Sequence, residues 1–155
     1  MQVVTTDDRH WMELAIALAH RCPPSRTAFS VGAVLVDAEG AEIARSWSRD
    51  VDPTVHAEES VLARAAGDPR LRTATLYSSL EPCSARASRP VPCARLVVAA
   101  GVPRVVIAWR EPDVFVPGAR GVELLTEAGV TVVELPDLAA AALAPNAHLP
   151  VGRTG

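Results

Sequence analysis

His56, Glu58, Cys83 and Cys93 are the residues of this chain whose types and order can do chemistry together. One imidazole and two thiolates are zinc donors, and zinc held by three protein ligands keeps a fourth position open for water. Glu58 follows His56 by two residues and is not needed as a ligand. Its carboxylate can therefore move protons on and off that water. Each residue has a plainer role to set against this. A lone histidine is commonly a satisfied core or surface residue, but the ordered cysteines and Glu58 favour a ligand. A disulfide across the nine residues between Cys83 and Cys93 is geometrically possible; a reducing compartment argues against it. A first-turn acid can simply favour the helix dipole. Glu59 fits that role and is given no catalytic one.

The elements around these residues follow from periodicity and turn signals. Residues 8–20 place Trp11, Leu14, Ala15 and Leu18 at helical spacing, with Asp7 or Asp8 as N-cap and Pro23-Pro24 beyond the end. Residues 31–36 and 41–47 form a β-hairpin around Asp37-Ala38-Glu39-Gly40. Residues 56–66 read as a helix with Gly67 just past it, 74–79 as a strand, and 80–92 as a proline-bearing loop. Cys93 opens a helix that Gly101 stops; a strand (104–109), a helix (119–128) and a strand (130–135) follow. Helical, alanine-dominated 137–143 comes last. The expected domain is 1–144, with 145–155 a tail of little order of its own.

A hairpin followed by alternating helices and strands implies an α/β, three-layer α-β-α sandwich with a mixed five-stranded sheet. His56 and Glu58 then open one helix and Cys93 the next. Helix N-termini carry partial positive charge and unpaired N–H groups, which help hold thiolates as thiolates.

Composition narrows the function. At 155 residues and 49% hydrophobic, the chain can bury one core without disulfides. A net charge of −3 and 4% aromatic residues argue against nucleic-acid binding, which wants basic stripes and stacking platforms. Asp7, Asp8 and Glu13 exclude a signal-peptide pattern at the N-terminus, and no apolar run is long enough to span a membrane. The expected location is cytoplasmic. Cys22 reads as an incidental thiol.

The motif His56-Ala57-Glu58, then Pro82-Cys83 and Cys93, resembles the cytidine/deoxycytidylate deaminase superfamily. Within it, the chain looks most like the deaminase part of the bifunctional riboflavin-biosynthesis deaminase/reductase. The likeness covers roughly residues 10 to 135. It is carried by residues 31–36, by Thr75 through Ser84, by Arg89-Pro90-Val91-Pro92-Cys93, and by Ala99 through Val106. The nine-residue spacer between the cysteines is close to that of the riboflavin enzymes. Three stretches depart from them: Thr27-Ala28-Phe29-Ser30, Trp47-Ser48-Arg49, and Ser84-Ala85-Arg86-Ala87-Ser88. These positions contact substrate in the family, so the pocket is open to a different ring.

The resemblance implies a cytidine deaminase-like fold and a Zn2+ cofactor held by His56, Cys83 and Cys93, with Glu58 as proton shuttle. It implies hydrolytic removal of an amino group from a small pyrimidine-type ring, a phosphorylated riboflavin precursor being the leading substrate. Cytidine, deoxycytidylate, cytosine or a related base is the alternative; a non-catalytic zinc-binding module is the third reading, disfavoured by the intact Glu58. Phe29, Ser48, Ala57, Arg86 and Arg89 are the expected substrate contacts. Arg86, Arg89 and Arg95 cluster around the loop between the cysteines, suited to a phosphate; a merely solvated loop is the other reading. Phe29 and Trp47 wall a flat pocket or fill core. A homodimer or larger homo-oligomer is expected by resemblance.

Overall fold

The computed structural model describes residues 5–84, 91–110 and 120–149. Helix α1 spans Thr6–Ala19. Its cap is neither Asp7 nor Asp8. Thr5 Oγ1 accepts the Asp8 N–H (3.1 Å), and Asp8 Oδ2 accepts the Thr5 N–H (2.9 Å). This reciprocal capping box places Asp8 one turn inside the helix. Asp8 is wanted elsewhere as well. It is buried, accepts from the Tyr77 hydroxyl at 2.6 Å, and takes a bidentate pair from Arg104 at 2.8 Å.

The hairpin forms as β1 (Gly32–Val36) and β2 (Glu42–Trp47). Then come α2 (Ala57–Arg64), β3 (Thr75–Ser78), α3 (Cys93–Ala100), β4 (Arg104–Ile107), α4 (Gly121–Glu127), β5 (Thr131–Glu134) and α5 (Ala139–Leu143). A 3-10 turn at Pro69–Thr73, between α2 and β3, is an element that periodicity did not signal. It is a local device: Asp68 caps it by accepting the Arg70 N–H. The strands are shorter than the apolar runs that announced them, because the run ends continue as buried loop.

Sheet order is β2-β1-β3-β4-β5. β1 pairs antiparallel with β2 and β3, while β3, β4 and β5 run parallel. Alternate residues sort onto two faces, as the two-residue period demands. Ala33, Leu35, Leu76, Val105, Ile107 and Val132 pack with Ala57 and Val61 of α2, Val97 of α3 and Leu125 of α4. Val34, Val36, Tyr77, Val106 and Val133 pack with Met12, Ala15 and Ile16 of α1 and Ala142 of α5. The three-layer sandwich with a mixed five-stranded sheet is therefore the architecture. Gly32 is required by the α1 layer: a Cβ there would lie 1.8 Å from the Ala15 carbonyl oxygen.

The segment from residue 144 to 149 departs from the expectation of a loose tail. A 3-10 turn spans Ala144–Asn146, and Asn146 and Leu149 are buried. The Asn146 side chain accepts the Ser30 N–H at 2.6 Å and donates to the Ser30 carbonyl at 3.0 Å. It thereby satisfies a buried stretch of backbone that lies outside the sheet. No helix among the described residues is long and apolar enough to cross a membrane.

Candidate metal centre and active site

The parallel strands β3 and β4 end on one edge of the sheet, and the N-termini of α2 and α3 open there. His56 is the N-cap of α2, in extended backbone (φ −86°, ψ 156°). Its N–H donates to Glu59 Oε1 at 3.3 Å, so Glu59 closes the helix start, the structural role its position suggested. Cys93 opens α3, with Pro92 as N-cap in a φ that proline pre-sets. Cys83 lies on the loop leaving β3. Its carbonyl accepts the Ala94 N–H at 3.0 Å, which ties the loop to the first turn of α3.

These placements gather the three donors. Cys93 Sγ lies 3.3 Å and Cys83 Sγ 3.6 Å from His56 Nδ1. All three ligand atoms fall within 4.8 Å of one another, and both cysteines are buried. This is the group of metal-ligand type among the described residues, and its one nitrogen and two sulfur donors fit a zinc ion. The Cys93 backbone N–H also points at Cys83 Sγ, at 3.2 Å. The hydrogen bond with Cys93, joined by His56 and that N–H, brings the Cys83 thiol down to about 4 against the opposing effect of burial. The lowering favours the thiolate form that a metal ligand needs.

Glu58 sits in the first turn of α2 and is 3% exposed. Burial pushes its carboxyl above the ordinary carboxylate range. Its Oε1 lies 2.7 Å from the Ser78 hydroxyl at the end of β3. A carboxyl with raised proton affinity, two residues from a metal donor, is suited to take a proton and give it back.

Phe29 is buried and packs edge-to-face on Trp109 with ring centroids 5.4 Å apart. The Ser48 hydroxyl accepts the Val31 N–H at 3.0 Å, so it serves the backbone where β1 and β2 meet. Ala57 is fully buried against the core. Arg86 and Arg89 lie outside the described residues. Arg95 is exposed, on α3. Trp47 is half-buried, with the Arg21 guanidinium 5.3 Å from its ring centroid. The Cys22 sulfur lies 3.5 Å from the Val31 carbonyl, and burial pushes its thiol up, away from reactivity.

Four residues that build this edge have structural roles that the sequence does not assign. Glu81 is buried; its Oε2 accepts the Val122 N–H at 2.5 Å, capping α4, while its own N–H donates to the Trp109 carbonyl at 2.8 Å. Gly121 lets α4 approach: a Cβ there would lie 1.9 Å from the Pro82 carbonyl oxygen. Arg49, at φ 60°, donates to the carbonyls of Pro23 (2.7 Å) and Phe29 (3.1 Å) and to Ser30 Oγ (2.8 Å). Its N–H donates to the Val55 carbonyl at 2.8 Å, so it joins the 23–30 segment to the residue before His56. Ser78 is the fourth. A hydroxyl on the inward face of a strand, in register with Leu76, was the available signal for it.

Comparison with known proteins agrees with this arrangement. Residues 5–109 match the family model for the cytidine and deoxycytidylate deaminase zinc-binding region. The diaminohydroxyphosphoribosylamino-pyrimidine deaminase of Schizosaccharomyces pombe is 39% identical over 127 residues, 80% of this chain and 31% of that protein. Among solved structures, Acinetobacter baumannii RibD superposes with a TM-score of 0.75 at 32% identity, covering 91% of this chain and 38% of that one. Aspergillus oryzae Rib2 deaminase, as a C-terminal deletion mutant, gives a TM-score of 0.71 at 26% identity, covering 83% of this chain and 86% of that one. The chain spans about a third of the length of the curated relatives it matches. With a zinc-binding family model matching across both β3 and β4 and a His/Cys/Cys cluster at their ends, this chain belongs to the cytidine and deoxycytidylate deaminase family.

Proposed function

We propose that this chain is a zinc-dependent hydrolytic deaminase of a small aminopyrimidine, with a phosphoribosylated riboflavin precursor as its substrate. The observation that carries the reading is the convergence of His56, Cys83 and Cys93 within 4.8 Å beside the buried carboxyl of Glu58. The names borne by its relatives, among them a diaminohydroxyphosphoribosylamino-pyrimidine deaminase, support the substrate class.

His56 Nδ1 and the sulfurs of Cys83 and Cys93 would hold the zinc, which would supply a Lewis acid that makes water nucleophilic at neutral pH. Glu58 takes a proton from the attacking water and delivers it to the ring nitrogen beside the amino-bearing carbon. It then moves the second water proton to the departing amine. The carbon–oxygen bond forms, the carbon–nitrogen bond to the amine breaks, and a ring carbonyl and ammonia result. Burial suits Glu58 to this, because a carboxyl that keeps its proton longer can hand it on. The Phe29–Trp109 pair walls the ring, Ser48 and Ala57 shape the floor through their backbone, and Arg86 and Arg89 pair with the phosphate. A homodimer is the working assembly, and the cytoplasm its location.

The test is zinc content together with ammonia release from the phosphoribosylated diaminopyrimidine, cytidine, cytosine and deoxycytidylate. Stoichiometric zinc with preferential turnover of the first compound is expected. Turnover of cytidine or deoxycytidylate alone would overturn the substrate, and zinc-loaded protein inert toward all four would overturn the activity.

A further inference from the structure

We infer that Ser78 is a positioning residue for the reaction, its hydroxyl holding the Glu58 carboxyl in one orientation. The inference rests on the deaminase reading above and concerns a residue to which that reading gives no part.

Ser78 closes β3, with Ala33 opposite it on β1 and Ile107 on β4. It is fully buried, in the middle of the sheet, on the face that packs against α2. An alkyl side chain would ordinarily fill such a site, since burying a hydroxyl costs free energy unless it is bonded. The hydroxyl here has two neighbours, each at 2.7 Å: Glu58 Oε1 and the Leu80 carbonyl oxygen. The Leu80 carbonyl alone would satisfy its single proton. The second contact is therefore more than burial requires.

A hydroxyl has one proton to give and lone pairs that accept. The Glu58 oxygen and the Leu80 carbonyl oxygen flank the Ser78 hydroxyl at equal distance, so rotation about the Ser78 Cβ–Oγ bond keeps the hydroxyl against the carboxyl with no movement of the glutamate. A shuttle that must pick up a proton at one atom and release it at another gains from a carboxyl that stays put, because misplacement by about 1 Å costs on the order of a hundredfold in rate.

The experiment compares Ser78→Ala, Ser78→Thr and Ser78→Val with wild type in the full chain loaded with zinc. Ser78→Ala is expected to lower kcat by roughly ten- to a hundredfold, with KM and zinc content unchanged. Ser78→Thr is expected to recover most of that loss. Ser78→Val, which has the shape of threonine without the hydroxyl, is expected to resemble Ser78→Ala. A kcat within twofold of wild type in the folded alanine or valine variant would overturn the inference. So would a loss shared equally by threonine and valine, since shape would then be the cause. A readout without substrate is the crystal structure of the zinc-loaded alanine variant. Glu58 spread over more than one rotamer supports the inference; an unchanged single rotamer overturns it. Wild type inert toward every pyrimidine would count against the deaminase reading instead, leaving the rotamer comparison to decide the role of Ser78.

Discussion

Gly121→Ala tests how the metal edge is built. The added Cβ would lie 1.9 Å from the Pro82 carbonyl oxygen, where ordinary contact starts at 3.4 Å. One backbone or the other must move by about 1.5 Å, because neither atom is the end of a flexible side chain. Overpacking of this kind costs roughly 1–3 kcal/mol. The same movement pulls the Val122 N–H from Glu81 Oε2 and leaves a buried carboxylate short of a donor, about 1–3 kcal/mol more. The expected loss is therefore about 2–6 kcal/mol, read as a lower urea midpoint by fluorescence of the three tryptophans. Pro82 precedes Cys83, so a competing chelator should also strip zinc more readily from the variant. Gly129→Ala is the control. It carries the left-handed strain of φ 90° but meets no atom within 4 Å, so it should cost only about 1–2 kcal/mol and leave zinc affinity unchanged. Equal losses in the two variants, or a loss below about 1 kcal/mol in Gly121→Ala, would refute the close-approach argument.

Three other outcomes follow from the same geometry. Glu58→Gln should keep zinc and lose roughly 10²- to 10⁴-fold in kcat, measured by ammonia release. Asp8→Asn should expose a pH-dependent stability term. Burial pushes the Asp8 carboxyl up, but bonds from Arg104 and Tyr77 outweigh it and hold it at about 2, below the ordinary 3.8. The depressed value means that Asp8 stabilises the fold above its unfolded pKa, by up to about 2.4 kcal/mol. That contribution fades as pH falls toward 2, so the stability gap between wild type and variant in urea titrations should shrink by about half between pH 7 and pH 3. Arg49→Met should release the 23–30 segment from its Pro23, Phe29 and Ser30 contacts, and limited proteolysis should cut there faster than in wild type.

The layers and the sheet could be read from the chain because its strands are short apolar runs bounded by glycine, proline and charge. The candidate metal donors could be read because His56 and Cys93 each stand at the start of a helix and Cys83 follows Pro82 on the loop leaving β3. What could not be read depends on contacts between distant positions. Asp8 looks like a cap from its neighbours alone; only Arg104 and Tyr77, 96 and 69 residues away, draw it inward. Asn146 belongs to a polar, proline-marked end of the chain, and its partner Ser30 is 116 residues back. Glu81 and Gly121 make sense as a pair, across 41 residues between Glu81 and Val122. Local pattern has no access to such pairings.

Both sulfurs ride on the crossover that links β3 to β4, whereas the imidazole belongs to the preceding helix. During synthesis the hairpin and α2 emerge first, although β1 pairs with β3 and α2 packs on residues that come later. The thiols cannot meet His56 before Cys93 itself has left the ribosome. Until then they are two reactive groups ten positions apart, open to oxidation or to scavenging by soft metals such as copper. The yield of active protein should therefore track the zinc supply during translation more closely than the stability of the finished fold.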